Sequence, residues 1–180
     1  MKKIFIAVIL LFTINVCYAQ HLTYSEFVET TNMKSVSELS DFFQSRGYKY
    51  KDGGKIFSKE MSDSLNHTVW CKECYYLSSI DKFEKNDPDT PCSWFSFQFS
   101  IEKDVFIYSY LCPNISDFKS FLEGARNDGF EPYEVHNTWH GTFFPYFKRN
   151  DTLNCFDCFV FDMEKDQNNI VIFKRIKSEE

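Results

Sequence analysis

Glycine is scarce in this chain, at only six of 180 residues. Loops that cradle phosphate and the G-x-S-x-G turn of serine hydrolases both need glycine at fixed positions, and neither pattern occurs. The HExxH pattern of zinc proteases is also missing. These absences exclude the enzyme classes that carry such motifs, and they leave open an enzyme whose active site has no local signature.

Basic charge is also in short supply. The chain has 20 lysines and arginines against 26 aspartates and glutamates, a net charge of −6, and its basic residues form no long block. Nucleic acids and anionic membrane surfaces attract proteins through clustered positive charge. We therefore expect neither of them as a partner.

No apolar run approaches the ~20 residues that a membrane-spanning helix needs. The longest run begins at Ile4 after two lysines, and it is followed by Cys17 and Ala19, small residues at positions −3 and −1 of a cleavage point. This is the pattern of a bacterial secretory signal peptide. We predict that residues 1–19 are removed, that the mature protein is secreted or periplasmic, and that it has no membrane span.

Aromatic residues are abundant, with 21 phenylalanines, 10 tyrosines and 3 tryptophans. So many large apolar rings argue against a disordered chain, and together with the low alanine content they favour strands. No linker rich in glycine, serine or proline divides the chain. We predict one α+β body.

One order of elements occurs twice along the sequence. An amphipathic helical segment ends at Gly47, and a second ends at Gly129 with apolar residues at the same offsets from its glycine. Each segment is followed by strand-like residues and then by a Cys-x-acid-Cys pair, CKEC at 71–74 and CFDC at 155–158. We predict two tandem helix-plus-antiparallel-sheet repeats, in residues 20–112 and 113–180.

This arrangement is similar in outline to the β-lactamase inhibitory proteins. Their tandem α/β units place the sheets around an aromatic-lined concave face. The resemblance covers the order of elements over most of the mature chain and includes no specific motif, so it assigns no individual residue.

Strand periodicity is clearest between residues 93 and 111. Folding this segment about Glu102 places Phe97 opposite Ile107 on one apolar face. The same register brings Cys92 opposite Cys112, and we therefore predict a disulfide between them. The other face of this hairpin then carries four aromatic side chains, which are Trp94, Phe106, Tyr108 and Tyr110.

The two Cys-x-x-Cys pairs raise the question of a zinc site. Thiolates of Cys71, Cys74, Cys155 and Cys158 could bind the ion together. Residues three apart in a plain strand point to opposite faces, however, and neither pair carries a turn-forming glycine or proline. A thioredoxin-like redox pair would open a helix, whereas aromatic strand residues follow both pairs here. Structural disulfides are therefore the favoured interpretation, with their connectivity left open.

His136 and His140 have the i, i+4 spacing of a helical zinc pair, but the residues between them favour a strand or turn. We predict a non-catalytic binding protein of the inhibitor, immunity or recognition type, which uses the aromatic sheet face described above and no cofactor. Its partner is expected to be another protein rather than a small molecule. The alternatives are a secreted metal-dependent hydrolase that uses the two histidines, or a structural envelope protein.

Overall fold

A computed structural model describes residues 21–58, 63–77, 82–85, 92–100, 105–137, 141–164 and 169–177. The predicted signal peptide, at residues 1–19, lies outside these ranges, as does His140. Within them the fold is α+β and consists mostly of antiparallel sheet, as predicted.

Three helices lie in the described ranges: α1 (Tyr24–Thr30), α2 (Val36–Gln44) and α3 (Ile115–Asn127). The strands of the first half are β1 (Lys49–Ser58), β2 (Asp63–Lys72), β3 (Cys74–Leu77), β4 (Lys82–Lys85), β5 (Ser93–Ser100) and β6 (Val105–Cys112). Those of the second half are β7 (Glu131–Pro132), β8 (His136–Asn137), β9 (Gly141–Asn150), β10 (Cys155–Glu164) and β11 (Asn169–Lys177).

Nine of the described strands form one sheet in the order β1-β2-β5-β6-β11-β10-β9-β7, with β8 also paired to β9. The last strand of each half, β6 and β11, meet at the centre of the sheet and pair antiparallel. The described strands β3 and β4 form a separate two-stranded sheet. The two halves therefore share one continuous sheet.

The helix boundaries follow the sequence signals. Ser35 and Asn114 each accept a hydrogen bond from the backbone N–H three residues later, which caps α2 and α3. Gly47 and Gly129 follow the C-terminal ends with φ of 81° and 83°, a conformation that only glycine adopts readily. None of the helices in the described ranges is long and apolar enough to cross a membrane.

The hairpin of β5 and β6 differs from the prediction by one residue. Phe97 pairs with Tyr108, not with Ile107, because the last pair is Ser100 with Val105. Since side chains alternate between faces, this shift places Phe95, Phe97 and Tyr110 on one side of the sheet together. The predicted set of Trp94, Phe106, Tyr108 and Tyr110 therefore does not share one face, because Trp94 lies on the other side of the sheet.

All three helices pack on the sheet face that carries Phe95 and Tyr110, and the core forms between them. It is built largely of aromatic rings, which meet in edge-to-face and stacked pairs such as Phe27 with Phe121, whose ring centroids are 5.6 Å apart. Most of the phenylalanines of the sequence thus lie in this core or pack against it.

A pH-dependent contribution to stability arises at the start of α1. Burial raises the pKa of Glu26, but hydrogen bonds from Thr23 and the ion pair with Arg46 outweigh it and hold the pKa below its ordinary value. A carboxyl group with a depressed pKa stabilises the fold when the pH is above its unfolded-state pKa, and this stabilisation is lost as the pH falls through its folded-state pKa.

We expect Glu26→Gln to be less stable than wild type at pH 7, with the difference shrinking towards pH 3, as measured by urea unfolding at several pH values. A difference that stays constant with pH would contradict this.

Candidate functional site

A groove lies on the helical side of the sheet. It has a volume of about 520 Å³ and lies between the end of α1, the β9–β10 turn and strands β10 and β11. Phe130, Phe159 and Phe173 supply apolar wall, and Asn32 and Asn150 supply amide groups at the rim. We call this feature, together with the smaller cavity described below, the Arg175 groove.

Arg175 is held in the groove by Asp157, which lies directly opposite it on β10. Its Nε donates to Oδ1 at 2.5 Å and its Nη2 to Oδ2 at 3.1 Å, and this bidentate geometry fixes the guanidinium plane. The bonds from Asp157 raise the pKa of Arg175 above its ordinary value. Two of its five N–H groups are used in this way.

The acidic side chains of the groove are already engaged. Asp157 accepts a further bond from Asn150, and Asp128 accepts one from the hydroxyl of Tyr24 at 2.8 Å. Burial, and then this bond to Asp128, raise the pKa of Tyr24 well above its usual range, so the phenol stays protonated. Asp151 at the rim pairs with Arg149 at 2.7 Å. Each of these carboxylates is thus hydrogen-bonded within the protein, and Asp151 and Asp157 are also paired with an arginine.

A smaller cavity of about 130 Å³ continues the groove past Thr31 and shares Phe173 and Arg175 with it. Its lining includes two cations, Lys34 and Arg175, and no carboxylate. The Lys34 ammonium lies 5.0 Å from the centroid of the Phe106 ring, a cation–π distance. This end of the groove therefore combines positive charge with apolar walls, within a protein whose net charge is −6.

The predicted aromatic binding residues lie in different places. Tyr108 and Tyr110 are 1% and 0% exposed, and their hydroxyl groups are bonded within the protein, to the carbonyl of Met33 and the N–H of Leu22. Phe106 is half-buried and lines the small cavity of the groove. Trp94 is half-buried on the face of the sheet opposite the three described helices. The structure therefore does not bring the four into one exposed face. The register shift puts Trp94 on the other side of the sheet, and the helices cover Tyr108 and Tyr110.

The predicted disulfide partners are also apart. Cys92 packs with Val69 on the sheet face opposite the three described helices, whereas Cys112 belongs to the helical core. The one-residue register shift explains this, since it moves Cys112 to the face opposite that of Cys92. The six described cysteines are all buried.

The four cysteines of the zinc hypothesis do not converge. Cys155 lines the groove on the helical side, and Cys158, three residues further along β10, lies on the other face. Cys71 and Cys74 pack together elsewhere, at the junction of β2 and β3. No group of three or more histidine, cysteine, aspartate or glutamate side chains is arranged to hold a metal ion in the part of the chain that the structure describes.

His136 lies exposed on the edge strand β8, with Phe143 as its backbone partner, and outside the groove lining. The Arg175 groove itself was missed by the sequence analysis. One signal could have indicated it: Asp157 and Arg175 have opposite charge and lie at equal distances from Asp166 in the sequence, as expected of a cross-strand pair. The contribution of α1 to the groove had no such signal.

No protein-family model matches this chain, and no curated protein or solved structure does either. The class of protein is therefore defined by its architecture: an α+β protein with three helices on a nine-stranded sheet, a smaller two-stranded sheet and a groove that contains Arg175, as far as the described residues extend. Its function has to be inferred from the chemistry of the groove.

Proposed function

We propose that this chain is an exported, non-catalytic binding protein that holds a carboxylate-bearing segment of a partner protein in the Arg175 groove. The observation that carries the proposal is the charge balance of the groove. Asp151 and Asp157 are each paired with an arginine, and Asp128 accepts a hydrogen bond from Tyr24. Lys34 and Arg175 line the smaller cavity, whose lining includes no carboxylate.

A carboxylate suits this cavity for geometric reasons. A guanidinium whose plane is fixed by Asp157 binds a second planar anion without a further loss of side-chain freedom. Phe106 and Phe173 line the cavity and can pack on the methylene groups of an aspartate or glutamate side chain. The wider groove beyond it, with amides and aromatic rings, suits the polar backbone of an extended peptide.

Export is proposed on the N-terminal pattern alone. If it is correct, the protein recovered from the exported fraction begins at Gln20, and its intact mass shows this directly. Recovery of the uncleaved chain inside the cell would contradict it.

A common origin of the two halves is proposed on their topology. The strand order is mirrored about the β6–β11 pair, and Gly47 and Gly129 end α2 and α3 with nearly the same φ. The cysteine pairs do not support a duplication, since Cys71 is near the end of a strand and Cys155 begins one. Two halves that do not superpose in an experimental structure would contradict a common origin.

Binding can be tested with a displayed library of random peptides selected on the purified protein. We expect the selected peptides to be enriched in aspartate and glutamate, and their affinity to fall about tenfold or more with Arg175→Gln, since hydrogen bonds to charged groups are worth about 1.5–3 kcal/mol. The measurement is isothermal titration calorimetry of one selected peptide and its Asp/Glu→Asn/Gln counterpart.

Arg46→Gln is the matched control for this test. Arg46 pairs with Glu26 in a similar half-buried geometry, at 3.0 Å, but lies outside the groove lining. Peptides without acidic enrichment, or an equal loss of affinity in both variants, would overturn the proposal.

A further inference from the structure

The CKEC segment contains an unusual backbone conformation, at Glu73, that the sequence does not predict. Glu73 has a φ of 58°, the left-handed conformation that non-glycine residues seldom adopt. It separates the end of β2 from the start of β3, so the chain turns sharply between Cys71 and Cys74. The rule that side chains three apart on a strand diverge therefore does not apply here.

A third cysteine, Cys92, lies directly before β5 and close to this pair. Lys72 pairs with Ser93 in the β2–β5 ladder, which brings the residue before Ser93 beside the turn. Cys71, Cys74 and Cys92 consequently share one small buried cluster with Val69 and Leu111. We call these three residues the cysteine triad.

Cys74 occupies the middle of the cysteine triad. Its thiol is within hydrogen-bonding reach of the thiols of both Cys71 and Cys92. It also lies 3.4 Å from the carbonyl oxygen of Ser93, a contact that ties β3 to the start of β5. The bond with Cys71 is the leading cause that raises the pKa of Cys74 to about 12, so its proton is retained at neutral pH.

We infer that the cysteine triad is an exchangeable disulfide site in which Cys74 bonds to either Cys71 or Cys92 and the third residue stays a thiol. The oxidant is a small-molecule or protein disulfide. One triad thiol loses its proton and attacks this disulfide, releasing one thiolate and forming a mixed disulfide; a second triad sulfur then displaces the other. Two protons and two electrons leave the triad, and the oxidant becomes two thiols.

The two isomers differ in what they connect. A Cys74–Cys92 bond would fasten the β3–β4 sheet to the main sheet at β5, because Cys74 begins β3 and Cys92 precedes β5. A Cys71–Cys74 bond would close only the turn at Glu73. The remaining thiol lies next to the disulfide in both cases and can attack it, so the hairpin can be fastened or released without a change in the number of disulfides.

The other three described cysteines lack such neighbours in the geometry above. Cys112 lies in the helical core, where burial raises the pKa of its thiol well above the usual value. Cys155 and Cys158 are on opposite faces of β10, and burial raises the pKa of Cys158 to about 11. We therefore expect these three to remain thiols.

Disulfide mapping of the full chain tests the inference. The protein is refolded with glutathione disulfide, blocked with an alkylating agent under acid denaturation, digested without reduction and mapped by mass spectrometry. We expect one disulfide per chain that always includes Cys74. Alkylation of all six described cysteines would overturn the inference. A disulfide outside the triad, or one such as Cys92–Cys112 that joins the triad to another cysteine, would also overturn it.

Single variants separate exchange from a fixed bond. Cys71→Ser is expected to retain one disulfide as Cys74–Cys92, Cys92→Ser to retain one as Cys71–Cys74, and Cys74→Ser to have none. Cys158→Ser is the matched buried control and should leave the wild-type pattern unchanged. The inference would be overturned if Cys74→Ser kept a disulfide, or if Cys71→Ser or Cys92→Ser lost it. Zinc bound through three thiolates would also overturn it.

Discussion

Replacement of Phe27 by alanine is expected to lower the free energy of unfolding by about 3–5 kcal/mol, as for other buried Phe→Ala changes. The side chain of Phe27 is fully buried, and its ring is within 6.3 Å, centroid to centroid, of the rings of Phe95, Tyr110, Phe121 and Phe159. These rings come from both halves of the chain. A cavity here would therefore loosen α1, α3 and the sheet together.

Urea unfolding followed by circular dichroism measures this effect. Because the stability of a domain is commonly about 5–15 kcal/mol, Phe27→Ala is expected to leave little of it. Glu29→Ala is the control on the same helix: Glu29 is exposed, and the change should stay within about 0.5 kcal/mol. A Phe27→Ala protein within about 1 kcal/mol of wild type would contradict the central role of this ring.

Gly124→Ala is expected to destabilise the protein by about 1–3 kcal/mol, the usual cost of overpacking. In a solvent-facing helix the same change would stabilise by about 1 kcal/mol. The sign is reversed because a Cβ on Gly124 would lie 2.4 Å from Cγ and Cδ1 of the Tyr24 ring. That ring cannot swing away freely, since its hydroxyl is bonded to Asp128 and its face packs near Phe121.

A double-mutant cycle identifies the cause. In a Tyr24→Ala background the added methyl group meets no ring, and Gly124→Ala should become neutral or stabilising. Thermal unfolding of the four proteins in the cycle measures the coupling. If Gly124→Ala were equally harmful in both backgrounds, the contact with Tyr24 would not be its cause.

Much of the local structure could be predicted from the sequence because it depends on neighbouring residues. The helix ends at Gly47 and Gly129 and the strand over β10 follow from side-chain periodicity and from glycine's access to positive φ. The α+β class followed in turn from the order of these elements.

What could not be predicted depends on single-residue choices or on distant contacts. The register of β6 against β5 decides which side chains share a face, and a shift by one residue exchanges its two faces, as happened for Tyr108 and Cys112. Glutamate is a poor candidate for a left-handed turn, so nothing in CKEC indicated the bend at Glu73. The groove needs α1 beside β10, a contact that periodicity does not encode.

The central β6–β11 pair has a consequence for how the chain folds. β6 ends at Cys112 and β11 begins at Asn169, so the two innermost strands of the sheet are separated by all of α3 and β7 to β10. While β11 is still being synthesised, β6 has an unpaired inner edge, and such edges invite association with other chains. Because β6 and β11 can pair only late in synthesis, the protein depends on protection of the β6 edge until β11 has formed.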